Sequence, residues 1–190
     1  MNLHERAMEA LERGNRARRE KRPDDARTAF AEAADLFRRL EAPADLVHAL
    51  TRQAQIERDG GFFDKALEYQ LQALAVSRTL NDRKTLAHVI RHAGDIFQAS
   101  SRHGEADPCS REMLYLYRSA ADVAPLEMAN AIRSVALHKE YAGDKIAARL
   151  LWQEARERYG ALDELFLSLT GEHKNPGVTE AVEHLAALEA

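Results

Sequence analysis

Arginine and histidine side chains recur at intervals of about 40 residues in this 190-residue sequence, and they are the groups best suited to binding chemistry. Arg52, Arg91 and Arg133 each carry a guanidinium group, which can bind a carboxylate through two parallel hydrogen bonds. Histidines near them add partial positive charge at about pH 6. We therefore expect an acidic or carboxylate-bearing protein or peptide as the partner. The predicted partner-binding residues are Asn15, Arg18, His48, Thr51, Arg52, Gln55, Arg58, His88, Arg91, His92, Asp95, Asn130 and Arg133.

Two histidines and an aspartate have a spacing that could bind a metal ion. His88, His92 and Asp95 follow one another at i, i+4 and i+7, which places two imidazoles and a carboxylate on one face of a helix. Any helical His-x3-His segment gives this arrangement, so we interpret the three residues as the polar lining of a binding surface. A metal site is the alternative. We expect neither a resident metal nor a cofactor.

Motifs of enzyme active sites are absent from the sequence. It contains no glycine-rich phosphate loop, no Gly-x-Ser-x-Gly and no His-Glu-x-x-His segment. The single cysteine, Cys109, lies two residues from Arg111, which could lower the pKa of its thiol. We interpret Cys109 as a packed helix residue, with a reactive thiol as the alternative. The sequence therefore predicts a protein that is not an enzyme.

The overall composition narrows the class of protein. Hydrophobic residues make up 45% and charged residues 31% of the chain, which is typical of a globular protein rather than a disordered one. The formal net charge of -4 argues against a nucleic acid as the partner. No apolar run is long enough to span a bilayer, and the first residues lack the apolar segment of a signal peptide. We therefore predict a cytoplasmic location without membrane attachment.

Small residues at a regular interval predict how the binding residues are held. Glycine or alanine recurs in a first column, and alanine follows twelve residues later in a second column. The first column is Gly14, Ala54, Gly94 and Ala136, and the second is Ala26, Ala66, Ala106 and Ala148. Apolar residues around both columns recur every three or four positions, which is the period of an α-helix. We interpret each repeat as two antiparallel helices whose small residues let the axes approach closely.

Turn residues between the columns mark the ends of these helices, for example Gly60-Gly61 and Gly143-Asp144. We predict a single domain over residues 1–190 that contains four helix pairs. The pairs cover about residues 3–40, 45–80, 84–119 and 127–162, an insertion covers 163–177, and a capping helix covers 178–189. An amphipathic helix at this place would cover the apolar end of a stack of repeats.

The spacing of small and aromatic residues resembles the tetratricopeptide repeat. Its pattern, small-x11-Ala-x3-aromatic-x2-Ala, is matched by the first unit at Gly14, Ala26, Phe30 and Ala33 and by the fourth unit at Ala136, Ala148, Trp152 and Ala155. In the second and third units Gln70 and Ser110 stand at the aromatic position. The period of 40 to 42 residues looks like that of the longer repeats found in kinesin light chain and in bacterial helical-repeat regulators.

This resemblance implies an all-α fold, a right-handed superhelical stack of antiparallel helix pairs. It also implies a binding scaffold without catalysis of its own, in which the first helices line a concave surface that takes the partner. The alternative function is a regulatory sensor that binds a small peptide or metabolite and changes its curvature, by analogy with helical-repeat regulators.

Two apolar segments fall outside the repeat pattern. Phe62 and Phe63 begin a second helix, and we interpret them as packing in the turn between units, with a docking patch as the alternative. In the insertion, Leu165, Phe166, Leu167 and Leu169 cannot all face one core. Either the last helix or a second copy of the chain covers them, and the second case predicts a homodimer contact there.

Overall fold

The computed structural model describes residues 2–170 and 175–189, except for the side chains of Leu169 and Thr170. These residues form α-helices and no strand, which confirms the predicted all-α fold. No described helix is both long and apolar enough to cross a membrane. The helices are α1 Leu3–Arg19, α2 Pro23–Arg39, α3 Pro43–Asp59, α4 Phe63–Ser77, α5 Arg83–Ala99, α6 His103–Ser119, α7 Pro125–Tyr141, α8 Lys145–Gly160, α9 Asp163–Thr170 and α10 Pro176–Glu189.

The chain divides into two compact units, Met1–Ser101 with α1 to α5 and Arg102–Ala190 with α6 to α10. In the first unit α1 pairs with α2, α3 pairs with α4, and α5 packs on α4. In the second unit α7 pairs with α8 and contacts α6, while α10 packs on α8. Three of the four predicted helix pairs are therefore present, and the pairing of α5 with α6, which belong to different units, stays a prediction. The predicted single domain and the handedness of its superhelix concern both units together and stay predictions.

Turns between the helices repeatedly use one residue with left-handed backbone geometry. Gly61 and Gly143 adopt it at φ 79° and 75°, where the lack of a β-carbon avoids strain. The other residues with positive φ in these turns are Lys21, Glu41, Ser101 and Asp122. Glycine therefore marks only some of the helix ends. The turn at Lys21 therefore carries no glycine signal in the sequence, whereas Gly60-Gly61 marks the turn between α3 and α4.

Close approach of paired helices in the first unit depends on the small residues. Ala54 on α3 and Ala66 on α4 are fully buried and belong to one apolar cluster with Ile96. Gly14 on α1 lies so close to the ring of Phe30 on α2 that a β-carbon at position 14 would overlap the ring. The small residues of the first column therefore lie at the interfaces of both helix pairs, as predicted, but Gly14 meets the Phe30 ring rather than Ala26 of the second column.

A tryptophan fills the corresponding place in the second unit. Trp152 on α8 is fully buried in a cluster with Ala136 and Ala148. Its indole N–H donates a hydrogen bond to Glu140 Oε2 at 2.9 Å, and its ring stacks on His184 of α10 with the centroids 4.3 Å apart. The buried ring satisfies its one polar group in this way, and it joins α7, α8 and α10.

The C-terminal segment contains two helices. The predicted capping helix is α10, which begins at Pro176 and packs on α8 as α3 packs on α2. It therefore takes the position of the first helix of a fifth unit. The shorter helix α9 lies within the predicted insertion and makes no extensive contact with another described helix. Residues 171–174 of the insertion lie outside the described residues.

Replacing Gly14 with alanine should destabilise the first unit, because the added methyl group meets the Phe30 ring and forces it aside. Overpacking of this kind costs roughly 1–3 kcal/mol of the free energy of unfolding. The higher helix propensity of alanine offsets about 1 kcal/mol of that loss. Urea denaturation followed by circular dichroism measures the net change.

The matched control is Gly104→Ala on α6, where an added β-carbon would have no neighbour within 4 Å. Only helix propensity acts at this position, so we expect equal or higher stability. A Gly14→Ala variant that is as stable as Gly104→Ala would contradict the close contact between α1 and α2.

Candidate functional site

Polar side chains connect the first helices of the first unit, α1, α3 and α5. Arg18 on α1 donates hydrogen bonds to Asp59 Oδ2 on α3, at 3.1 Å from Nε and 2.7 Å from Nη2. Arg58 on α3 has its Nη1 3.8 Å from Asp95 Oδ2 on α5. We name these residues, together with Arg52 and Arg91, the basic surface. Its four guanidinium groups face two carboxylates, so it holds two positive charges in excess.

Arg52 is the arginine of the basic surface that has no carboxylate within ion-pair distance among the described residues. Its Nη1 donates to Gln55 Oε1 at 2.8 Å, while its Nε is buried without a hydrogen-bond partner. Burial and the charge of Arg18 lower the pKa of this guanidinium below its ordinary value. Because arginine stays protonated in proteins, Arg52 carries a partly buried charge that no carboxylate of the described residues neutralises.

His92 on α5 forms the polar junction with α3. Its Nε2 lies 3.0 Å from Gln55 Nε2, 3.2 Å from His88 Nε2 and 3.3 Å from Arg91 Nη2. Amide and guanidinium nitrogens only donate, so we assign His92 Nε2 as the acceptor and place the proton of the neutral ring on Nδ1. That Nδ1 faces Asp95 Oδ2 at 3.6 Å.

The junction holds a neutral imidazole beside an ionised carboxylate. Burial lowers the pKa of His92 to about 4, and Asp95 opposes this shift only in part. Burial by itself would raise the pKa of Asp95, but the His92 side chain and the guanidinium groups of Arg91 and Arg58 outweigh it and hold that pKa at about 2. Protonation of His92 would remove the acceptor to which its neighbours donate.

The arrangement of these groups does not suit metal binding or thiol chemistry. Among the described residues, no group of three or more histidine, cysteine, aspartate or glutamate side chains is placed to hold a metal ion. The ring nitrogen of His92 that could ligate a metal already accepts hydrogen bonds from its neighbours. Cys109 is also not activated, because burial and the charge of Glu112 raise the pKa of its thiol.

The remaining predicted residues of the first unit differ in accessibility. His48 reaches solvent, although partial burial of its ring and the charge of Arg52 lower its pKa. Asn15 is partly exposed on α1. Thr51 is only 2% exposed, so its side chain packs inside the unit rather than lining the basic surface.

The predicted binding residues of the second unit are engaged within that unit. Arg133 on α7 donates from Nε to Glu180 Oε2 on α10 at 2.6 Å, with a second bond from Nη2 to Oε1. Asn130 Oδ1 accepts a hydrogen bond from the Tyr159 hydroxyl at 2.7 Å. The structure therefore gives Arg133 a carboxylate partner that Arg52 lacks. Continuity of one binding surface from Arg91 to Arg133 spans both units and stays a prediction.

A cleft of about 550 Å³ opens beside Arg18 and Asp59, at the turns that follow α1 and α3. Phe62 lines it and is 57% exposed, with the guanidinium carbon of Arg27 5.3 Å from its ring centroid. This exposure corrects the interpretation of Phe62 as packing in the turn. Asp59 was not among the predicted residues either. The sequence signal for the exposure of Phe62 was its place directly after Gly60-Gly61, where it does not fit the three- to four-residue spacing of the apolar helix positions.

Acid should destabilise the protein through His92. Its pKa is about 4 in the folded state, against about 6.5 when unfolded, so the unfolded chain takes up the proton first. The stability held by the neutral ring is therefore complete above about pH 6.5 and is lost as the pH falls toward 4. The full effect is on the order of 3 kcal/mol. Urea unfolding at a series of pH values measures it.

The variant His92→Gln keeps a polar side chain at the junction and removes the titrating ring. We expect its stability to fall less between pH 7 and pH 4 than that of the wild type, from a lower starting value. His4→Gln, which changes an imidazole with a 56% exposed side chain, is the control. If His92→Gln shows the same acid-induced loss as the wild type, the neutral ring is not the source of the acid sensitivity.

No protein-family model and no curated protein matches the chain. Solved structures do match. The apo form of RapI has a TM-score of 0.76 at 14% identity, covering 98% of this chain and 54% of that chain. A Rap protein complexed with competence and sporulation factor has a TM-score of 0.77 at 15% identity, covering 99% and 54%. The TPR-like repeats of a putative kinesin light chain from Podosopora anserina give 0.74 at 11%, covering 99% and 87%.

At these identities the similarity shows the fold alone. The chain spans about half the length of the two Rap structures and most of the kinesin light chain structure. All of them match this chain over almost its whole length. The fold of this chain is therefore that of the tetratricopeptide-like repeat proteins, as the resemblance in sequence indicated.

Proposed function

We propose that this protein is a scaffold that binds a protein or peptide partner on the basic surface of its first unit, through carboxylates of the partner. The observation that carries the proposal is Arg52, a partly buried guanidinium whose charge has no carboxylate partner. A buried charge is costly unless it is paired. A carboxylate of the partner would pair it and would accept hydrogen bonds from the exposed part of its guanidinium group.

The neighbouring ion pairs support this role because they hold the other guanidinium groups in place. Asp59 accepts hydrogen bonds from both Arg18 and Arg58, and Asp95 lies beside Arg58 and Arg91. The two aspartates neutralise only part of the charge. The remaining positive potential attracts an acidic chain, and the paired arginines lose little freedom when it binds.

The cleft beside Phe62 indicates what else the partner presents. It begins at the Arg18–Asp59 pair and offers an exposed aromatic ring together with the apolar side chain of Ile56. A hydrophobic side chain next to the acidic residue of the partner would fill it. The proposed ligand is therefore a peptide segment that carries carboxylates and an adjacent apolar side chain. The neighbouring Rap structure, solved with competence and sporulation factor, supports the choice of a peptide.

The second candidate function is a regulatory sensor, and the polar junction between α3 and α5 favours it. These helices meet through the Gln55–His92 hydrogen bond, beside Arg52. A ligand that takes Arg52 away from Gln55 would change this junction. Small-angle X-ray scattering with and without a bound peptide separates the two functions, because a sensor changes its radius of gyration and a rigid scaffold does not.

The predicted cytoplasmic location and the predicted contact with a second copy stay predictions.

Binding to acidic peptides should depend on Arg52. The probe is an array of short peptides rich in aspartate and glutamate, beside the same array with asparagine and glutamine in their place. We expect the protein to prefer the acidic array and expect Arg52→Gln to weaken the best binders roughly 10- to 100-fold, which is typical for loss of one charge-assisted pair. Fluorescence anisotropy with the best peptides measures the affinity.

The matched control is Arg39→Gln at the end of α2, which removes an exposed arginine outside the basic surface. We expect this variant to bind as the wild type does. Equal binding to the acidic and amide arrays, or equal affinity of Arg52→Gln and the wild type, would overturn the proposed site.

A further inference from the structure

An apolar groove without a covering helix runs between α8 and α10 in the second unit. Ile146 and Leu150 on α8 are 79% and 62% exposed, and Leu188 on α10 closes the other side of the groove. Lys145 and Arg149 flank it. Within the part of the chain that the structure describes, neither cation has a carboxylate within ion-pair distance. Exposure of large apolar side chains beside unpaired charges is typical of an interaction surface.

The first unit shows what lies in the equivalent groove there. By the repeat spacing, Arg149 and Leu150 correspond to Arg27 and Thr28 on α2, and Leu188 corresponds to Ile56 on α3. Lys65 and Tyr69 of α4 line one side of that groove between α2 and α3. In the second unit no described helix lines the groove at the place that corresponds to α4, so one more helix would fit there. Apolar Leu150 takes the place of polar Thr28 in its wall.

The helix α9 has an exposed surface that complements this groove. Leu165 and Leu167 are 57% and 41% exposed, and α9 makes no extensive contact with another described helix. It begins with Asp163 and Glu164. Neither carboxylate has a cationic partner among the described residues. One chain therefore carries an acidic apolar helix and a basic apolar groove, both uncovered.

We propose that two copies of this chain form a dimer in which α9 of each copy lies in the groove between α8 and α10 of the other. The leucines of α9 would pack on Ile146, Leu150 and Leu188, and its acidic first turn would lie beside Lys145 and Arg149. A two-fold axis makes both contacts identical, so one association covers all four exposed faces. This proposal rests on the second unit alone and does not depend on peptide binding by the first.

Light scattering coupled to size-exclusion chromatography, at several protein concentrations, tests the dimer. We expect a dimer of the wild type, and we expect Leu150→Glu to raise its dissociation constant at least roughly tenfold, because it buries a carboxylate against the leucines of α9. The control is Leu71→Glu on α4, an equally apolar residue that is 53% exposed in the first unit. Circular dichroism confirms that each variant is folded.

A charge exchange tests the orientation of the helix in the groove. Arg149→Glu and Glu164→Lys should each weaken the dimer, and the double variant should restore it because the opposite charges are then exchanged. A wild type that is monomeric at every concentration overturns the proposal. A dimer that is unaffected by Leu150→Glu, or a double variant no tighter than the single ones, places the contact elsewhere and also overturns it.

Discussion

The close approach of paired helices through glycine and alanine is the constraint on which the rest of this structure depends. At Gly14 the helix backbone itself lies against an aromatic ring, and Ala54 and Ala66 are fully buried in one apolar cluster. Larger side chains such as Phe30 and Trp152 fill the space beside these contacts and form the cores. Because the cores lie between paired helices, the opposite faces of α1, α3 and α5 are free to carry charged and hydrogen-bonding groups.

Gln55 and Arg58 of α3 make polar contacts with His92 and Asp95 of α5, and this has an electrostatic consequence. His92 is buried and neutral, and it accepts hydrogen bonds from its neighbours while Asp95 stays ionised next to it. Hydrogen bonds and ion pairs in a partly dehydrated junction are strong when every partner is present and costly when one is missing. Arg52 lies at the edge of this junction, and its Nε has no hydrogen-bond partner among the described residues.

The two units use equivalent positions differently because their neighbouring helices differ. Arg91 and Arg133 occupy the same place in the repeat, three residues before the small residue of the first helix. Arg91 lies beside Asp95 of its own helix, whereas Arg133 is held by Glu180 of α10. The following helix thus neutralises the arginine of the second unit. The unpaired charge of Arg52 belongs to the first unit, and the uncovered apolar groove between α8 and α10 belongs to the second.

The sequence by itself determined the helical class, the pairing of helices and the small residues at which they touch, because these depend on periods of three, four and about forty residues that are visible along the chain. Helix ends were found where glycine marks the turn, as at Gly61, and less accurately where Lys21 adopts the same backbone geometry. Only the tertiary structure decided the partners of the charged groups, such as Glu180 for Arg133, and the exposure of Phe62. Those pairings join residues of different helices, and they depend on the lateral spacing of packed helices, which local sequence patterns do not encode.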